Sequence, residues 1–406
     1  MRKSSLWITP SGIDNPAFKP KLAISIAEAD AGYQHLSKCS LHAGIFWYGA
    51  CMSTKKSRLL EQSERIHFES TKIALLRKRA ETLARCREAQ SRTSRQLVFG
   101  LDTALELLCI EVPREVEEQL RLCRRAPFPS SASTQCSAPN GWKDEAAEPT
   151  PAEDLVILAD SRASRRRMRG LRCVQWSHPV ETITSCGITC VAPLDTWLMF
   201  ASYVGLTELV LLGDAMMRRD ADMRWLSLDD FDRRMREFER DLEYKGLSTP
   251  RGLRNCRRAL RLMREGADSP PETQVRLLLE SYGLPCPAVN MPVDVTDERG
   301  AKQRYYLDLA FPQWRVAVEY DGRHHAEAWE NDQRRIKLLG DAQWSLINVT
   351  RNDLYEESRR EGLVHSVADR IARRGGKVTP LGMPMSLRQL TDRRRSRARL
   401  GDREGQ

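Results

Sequence analysis

Residues 304 to 344 read RYYLDLAFPQWRVAVEYDGRHHAEAWENDQRRIKLLGDAQW, and this stretch decides the fold of the C-terminal part of the chain. Two short apolar runs, Tyr305 to Phe311 and Val316 to Tyr320, stand on either side of Pro312. Their β-branched and aromatic content, with a turn former between them, predicts two β-strands that pair as a hairpin.

Acidic residues are set into both apolar runs. Asp308 lies within the first run, Glu319 lies within the second, and Asp321 follows directly. Buried acids are costly unless something compensates them. Alternate residues of a strand point to one face, so Glu319 and Asp321 are expected to face the same way, and a hairpin would bring Asp308 beside them. Three converging carboxylates make a site for a hard divalent cation, Mg²⁺ or Mn²⁺.

The order of these features resembles the PD-(D/E)XK, or restriction-endonuclease-like, nuclease superfamily. The order is a strand with Asp, a turn, a strand with Glu-x-Asp-Gly-x-x-His, a helix with Asp-x-x-Arg, and a final strand. It is most similar to the very-short-patch-repair-like branch, in the bacterial family catalogued as domain of unknown function 559. The resemblance covers about residues 268 to 374. The matching residues are Asp308, Pro312, Glu319, Asp321, Gly322, His325, Asp332, Arg335 and the run from Trp344 to Thr350.

The resemblance implies a central mixed sheet flanked by helices and Mg²⁺-dependent cleavage of DNA. It implies Asp308, Glu319 and Asp321 as metal ligands, with Glu272 at a helix start as a fourth acid. His325 would assist catalysis, and Arg335 would act as a clamp on a phosphate or a carboxylate. Orthodox members carry lysine at the third motif position, where this chain has Asp321, so Asp321 is either a ligand or the residue that orients the water.

Each of these residues also has an ordinary structural interpretation. Ser269 and Glu272 have the spacing of a capping box, which explains the glutamate without a metal. Asp321-Gly322 is a common turn dipeptide. His325 fits a loop at the mouth of a polar cleft, and Asp332 with Arg335 has the spacing of an intrahelical ion pair.

The excess of basic residues favours a polyanionic partner. The chain has 406 residues, a formal net charge of +10 and a sequence pI of about 9.1. Such a balance bears on association rather than on fold. DNA is the expected partner, with a solvated surface as the alternative for each basic cluster. The candidate nucleic-acid-binding residues are Arg166 and Arg167 in a basic loop, Arg258 on a basic helix from 251 to 264, and Arg323, His324 and Arg335 beside the acids.

The expected fold class is α/β, or α+β, with several regions. The leucine spacing from Ser94 to Glu111 predicts a helix ended by Pro113. The helices before residue 125 are interpreted either as a helix-turn-helix or as a helical scaffold. The predicted organisation is a poorly ordered segment 1–60, a helical region 61–125, a linker 126–153, a mixed α/β domain 154–266, a nuclease-like domain 267–374 and a disordered basic tail 375–406.

Cysteine usage and hydropathy predict a cytoplasmic protein with no membrane partner. The eleven cysteines are scattered, the N-terminus lacks a signal-like apolar core, and no run approaches the roughly 20 apolar residues of a membrane helix.

A second class of function is a DNA-binding regulator. A weaker likeness to known proteins extends back towards residue 95. Proteins of this layout resemble abortive-infection antitoxins, which regulate their own operon. In that interpretation the nuclease-like fold binds DNA or a protein partner of a toxin–antitoxin-like pair without cleavage. The sequence also leaves RNA as substrate, the cognate site and the oligomeric state open.

Overall fold

A computed structural model describes residues 8–9, 56–125, 154–159, 168–297, 300–321 and 329–392. The predicted linker 126–153 and almost all of the predicted segment 1–60 lie outside the described residues.

The chain combines helices with two mixed sheets, and the α/β class is confirmed. The helices are α1 Lys56–Ser91, α2 Leu101–Leu107, α3 Arg114–Arg125, α4 Pro193–Phe200, α5 Leu206–Met216, α6 Leu228–Tyr244, α7 Leu253–Leu262, α8 Pro270–Ser281, α9 Trp329–Asp341, α10 Arg351–Tyr355, α11 Glu357–Arg373 and α12 Leu387–Leu390. The strands are β1 Ile8–Thr9, β2 Val98–Phe99, β3 Leu155–Ala159, β4 Leu171–Gln175, β5 Val180–Ser185, β6 Ile188–Val191, β7 Ala288–Thr296, β8 Lys302–Phe311, β9 Val316–Tyr320 and β10 Ser345–Val349.

The first sheet contains strands from both sides of the predicted linker. Its order is β5-β6-β2-β3-β4, with the two-residue β1 added beside β5. β2 pairs parallel with β6 and antiparallel with β3, while β5 and β6 form an antiparallel hairpin. Residues 98–110 and 155–217 therefore share one hydrophobic core, which includes Phe99, Val156 and Trp197.

The predicted helix from Ser94 to Glu111 is wrong in its first half. Val98 and Phe99 form a strand, and α2 starts only after Gly100. Leu101 opens that helix in a left-handed conformation, with φ of 49°. Pairing of Phe99 with Ile157 and Cys190 outweighs the helical spacing of the leucines, because tertiary contacts override local propensity.

The second sheet confirms the predicted strands. Its order is β10-β9-β8-β7, in which β8 pairs antiparallel with both neighbours and β9 pairs parallel with β10. A short 3₁₀ turn at Pro312–Trp314 joins β8 to β9. Helices cover both faces: Val275 of α8 packs with Val318, and Leu338 of α9 packs with Ala317.

The sequence predicts one closing helix from Asp353 to Arg373, and the structure has two helices there. Glu356 separates α10 from α11 in an extended conformation, with φ of −91° and ψ of 121°. The helical periodicity was correct, but the break carries no glycine or proline to mark it.

A buried ion pair joins the two sheet-containing parts. Asp214 of α5 accepts hydrogen bonds from Arg276 and Thr273 of α8, at 2.8 and 2.9 Å. The Asp214 and Arg276 side chains are 1% and 0% exposed. Arg276 also donates to the carbonyl of Leu262 at 2.7 Å. The two parts therefore share a polar contact that has no access to water.

The prediction of a disordered tail is wrong for residues 375–392. The backbone N–H of Met385 donates to the carbonyl of Ser281, and Arg261 donates to the carbonyl of Thr391. Ser386 and Gln389 form a capping box that starts α12. The basic residues beyond 392 lie outside the described residues.

Across the described ranges, none of the helices combines the length and the hydropathy needed to cross a bilayer.

Gly252 is the described glycine at which an added methyl group is expected to lower the stability most, because of its backbone conformation and its close backbone neighbour. It has φ of 87°, and an added Cβ would lie 1.9 Å from the carbonyl oxygen of Ala201. We expect Gly252→Ala to lower the free energy of unfolding by about 3 kcal/mol or more, because left-handed strain adds to a backbone clash. Urea denaturation measures this. Gly246→Ala is the matched control, since Gly246 has φ of 60° and open space around it, and it should cost only about 1 kcal/mol. Equal losses in the two variants would contradict the clash.

Candidate active site

The β8–β9 hairpin brings Asp308 and Glu319 to neighbouring positions. Leu309 pairs with Val318, so one further step along the same register places Asp308 opposite Glu319. Asp308 Oδ2 accepts a hydrogen bond from the backbone N–H of Tyr320 at 2.9 Å. This bond fixes the Asp308 carboxylate against the end of β9.

Arg335 of α9 holds Glu319. One Nη of Arg335 donates to Glu319 Oε2 at 2.7 Å, and the other donates to Oε1 at 2.6 Å and to the carbonyl of Tyr306 at 3.0 Å. The Glu319 side chain is 11% exposed and the Arg335 side chain is 20% exposed. The resemblance pointed to Arg335 as a clamp on either a phosphate or a carboxylate, and in this structure its partner is the carboxylate. The intrahelical ion pair of Arg335 with Asp332 stays a prediction.

Glu272 belongs to this region but does not form the predicted capping box. Its Oε1 accepts from the Ser269 hydroxyl at 2.8 Å, and its Oε2 accepts from the backbone N–H of Asp268 at 3.0 Å. The Ser269 side chain makes no capping bond to the helix backbone. The Glu272 carboxylate bonds to the Asp268 N–H instead of the Ser269 N–H, and Glu272 is only 6% exposed.

Asn290 is a site residue that the sequence did not reveal. Asn290 lies on β7 between Val289, which pairs with Leu309, and Met291, which pairs with Leu307. The register therefore places it opposite Asp308 on β8. Its side-chain amide donates to Glu272 Oε2 at 3.0 Å and to the carbonyl of Gly266 at 2.7 Å. Its φ of 45° marks a local break in β7. The one available signal was an asparagine within an otherwise apolar strand.

Burial and neighbouring acids disfavour the charged forms of Asp308 and Glu272. Burial raises the pKa of Asp308 well above its ordinary value, and the charges of Glu272 and Glu319 raise it further against the opposing effects of the Tyr320 N–H and Arg335. Burial also raises the pKa of Glu272 to about 7, with help from the charge of Asp268. Asp308 on β8 therefore interacts with acids of both α8 and β9, and Arg335 opposes their effect.

The donor chemistry fits a hard divalent cation, but the side chains are arranged as an ion pair. Carboxylate oxygens are the ligands that Mg²⁺ and Mn²⁺ prefer, and a cation would offset the buried negative charge. Among the residues that the structure describes, no group of three or more His, Cys, Asp or Glu side chains is placed to hold a metal ion. The predicted convergence of Asp308, Glu319 and Asp321 on one ion is thus not preformed. Arg335 covers Glu319, and Asp321 lies past the end of β9, where its N–H donates to the carbonyl of Val349.

Of the remaining predicted site residues, only Arg258 lies within the described ranges. Arg258 on α7 is half-buried, and its guanidinium reaches the Asn255 amide oxygen at 3.5 Å. Its neighbours on the predicted basic face are partly engaged within the protein, since Arg257 pairs with Glu239 and Arg261 donates to the Thr391 carbonyl. Five predicted site residues fall outside the described ranges: Arg166, Arg167, Arg323, His324 and His325.

A stability measurement can test the charge state of Glu272. Its folded pKa of about 7 lies above the ordinary 4.5, so its contribution to stability is present below pH 4.5 and is lost as pH rises towards 7. Glu272→Gln keeps one acceptor oxygen and removes the charge. In EDTA we expect the variant to match the parent near pH 4 and to exceed its free energy of unfolding by about 3 kcal/mol at pH 8.

Denaturant titrations at the two pH values check this expectation. Glu118→Gln is the control, because Glu118 makes an exposed ion pair with Arg114. A Glu272→Gln protein that is less stable than the parent at pH 8 would show that the charged carboxylate is the form the fold requires.

Comparison with known proteins finds a partial similarity. Over 126 residues, 30% of this chain, the sequence is 29% identical to two uncharacterized proteins of Mycobacterium tuberculosis, MT2308 of strain CDC 1551 / Oshkosh and Rv2248 of strain ATCC 25618 / H37Rv. The aligned part spans 43% of each, so the chain covers less than half the length of these relatives. No family model matches the chain, and no solved structure matches it. Both relatives are uncharacterized, so the similarity transfers no activity.

Proposed function

We propose that the chain is a metal-dependent endonuclease that hydrolyses phosphodiester bonds in DNA, as a nicking or cleaving enzyme of the PD-(D/E)XK, very-short-patch-repair-like type. One observation carries the proposal. Asp308 on β8 lies opposite Glu319 on β9, the charge of Glu272 on α8 acts on Asp308, and Arg335 bonds to Glu319. Buried acids whose pKa values are shifted by burial and by neighbouring charges are typical of functional sites.

The proposed chemistry assigns a task to each residue. A bound Mg²⁺ or Mn²⁺ supplies an activated water and offsets charge on the phosphoryl oxygens. Asp308 and Glu319 are the proposed ligands, with Glu272 or Asp321 as a third. The Tyr320 N–H orients the Asp308 carboxylate. His325 is the proposed proton donor or phosphate contact, since a histidine titrates near neutral pH.

The charge of the chain supports a nucleic-acid partner. A net charge of +10 favours a polyanion and predicts affinity that falls with added salt. DNA contacts from the basic segments would position the strand without reading its sequence.

A second candidate function is a DNA-binding regulator, antitoxin-like, that uses this fold without cleavage. The bidentate pair of Arg335 with Glu319 favours it, because that contact satisfies the glutamate without a metal. A protein partner would then be part of its function.

A plasmid assay separates the two candidates. The full chain is incubated with supercoiled plasmid in Mg²⁺, in Mn²⁺ and in EDTA, and DNA binding is measured in parallel. The endonuclease proposal predicts open-circular or linear product only when the cation is present. Binding of DNA without any metal-dependent product would contradict it and support the regulator.

A further inference from the structure

The contact between Arg335 and Glu319 covers a carboxylate that the proposed endonuclease needs. Both Nη groups of Arg335 donate to Glu319, one to each oxygen, at 2.7 and 2.6 Å. The pair is only 11% and 20% exposed. The third short bond, to the carbonyl of Tyr306, ties the guanidinium to β8 as well.

A divalent cation and this guanidinium cannot share Glu319 without cost. A metal bound by the same carboxylate would lie within a few Å of the positive guanidinium, and two cations at that distance in a poorly solvated site repel one another. Asp308 lies opposite Glu319 in the β8–β9 hairpin, so a second carboxylate stands beside the one that Arg335 covers. Once the Arg335 side chain moves away, the carboxylates of Asp308 and Glu319 are therefore the groups that would bind a cation.

A nucleic-acid phosphate is the chemical group suited to move it. The planar guanidinium fork binds a phosphate in the same bidentate geometry as a carboxylate. Arg335 lies on α9, whose neighbouring residues Asp332 and Ile336 are exposed, while Leu338 and Leu339 anchor the helix to the sheet. The side chain can thus change partner while its helix remains fixed.

We propose that Arg335 and Glu319 form an autoinhibitory latch: Arg335 occupies Glu319 in the free protein, and a substrate phosphate takes over the guanidinium and releases Glu319 for the metal ion. This inference rests on the proposed endonuclease function and adds its regulation. It makes metal loading dependent on substrate, which limits hydrolysis by an unengaged enzyme.

Metal binding in the absence of nucleic acid tests the latch. Mn²⁺ is titrated into the full chain by calorimetry, without DNA. We expect Arg335→Gln to bind Mn²⁺ about tenfold or more tightly than the parent, because the competing cation is gone. The double variant Arg335→Gln with Glu319→Gln should lose that gain.

Arg334→Gln is the matched control. Arg334 precedes Arg335 on α9 and pairs with Asp297 at 2.6 Å, so its replacement removes the same charge without opening Glu319. Its Mn²⁺ affinity should equal that of the parent. If Arg335→Gln folds poorly, Arg335→Lys keeps a cation but loses the fork, and a larger Mn²⁺-induced rise in its melting temperature than in the parent's serves as the second readout.

The two proposals fail differently. Unchanged Mn²⁺ affinity in Arg335→Gln, or a gain no larger than that of Arg334→Gln, overturns the latch even if the parent nicks plasmid. If Arg335→Gln binds Mn²⁺ more tightly but the parent never nicks plasmid, Arg335 competes with the metal ion for Glu319 as proposed, and the absence of nicking overturns the endonuclease.

Discussion

Asp308→Asn is expected to abolish plasmid nicking, with a loss on the order of a thousandfold or more. The substitution keeps an oxygen that can accept the Tyr320 N–H and removes the charge that would bind the cation. Glu319→Gln should cause a loss of the same order. Initial rates of open-circular product in Mg²⁺ measure both, and DNA affinity should stay the same or rise, because negative charge near the strand has been removed.

Stability separates this effect from misfolding. Burial and neighbouring acids raise the pKa of Asp308, so the neutral asparagine should fold with an equal or higher melting temperature near pH 8. Asp294→Asn is the control, because Asp294 on β7 makes an exposed ion pair with Arg304 and should leave nicking unchanged. If both Asp308→Asn and Glu319→Gln cut as fast as the parent, a contaminating nuclease is the better explanation of the activity.

The second large effect is expected at the buried contact between the two sheet-containing parts. Asp214→Ala should lower the free energy of unfolding by about 3 to 5 kcal/mol, because it leaves the guanidinium of Arg276 buried without its main partner. Arg276 is 0% exposed, and Asp214 also accepts the N–H of Arg264 and the hydroxyl of Thr273. Denaturant unfolding followed by circular dichroism gives the value.

A surface pair supplies the comparison for that result. Asp222→Ala removes an aspartate that is 62% exposed and pairs with Lys72 at 3.1 Å. The expected loss is below about 1 kcal/mol, since exposed ion pairs contribute little. A loss of similar size in Asp214→Ala would show that the contact between α5 and α8 is not a main source of stability.

The C-terminal sheet was predictable because local signals and tertiary pairing agree there. The run from Val316 to Tyr320 is a strand with those bounds, and Pro312 lies in the turn before it. Apolar β-branched residues favour a buried strand that pairs with its neighbours, so their pattern was sufficient to predict this strand.

Local signals failed where partners distant in sequence decide the conformation. The leucines around Val98 and Phe99 have helical spacing, but those two residues pair with β3 and β6. The composition of the tail predicts disorder. The spacing of Ser386 and Gln389, which is that of a capping box, is the sequence signal that indicates the helix there.

The structure brings together three of the residues named from the sequence, but their contacts were not predicted. The pattern identified Asp308, Glu319 and Arg335, and a resemblance offered Arg335 as a clamp. Nothing in the spacing could show that both nitrogens of Arg335 reach Glu319, because α9 is brought to the sheet by packing of Leu338 and Leu339. Asn290 escaped notice because its role depends on the register of β7 with β8.

The most direct test of the proposed site is a crystal structure of the full chain with a DNA duplex and Mn²⁺, using anomalous scattering to locate the ion. We predict an anomalous peak within about 2.5 Å of carboxylate oxygens of both Asp308 and Glu319, with the Arg335 guanidinium on a phosphate. DNA lying across this surface with no peak between those two carboxylates, and with Arg335 still bonded to Glu319, would contradict the account.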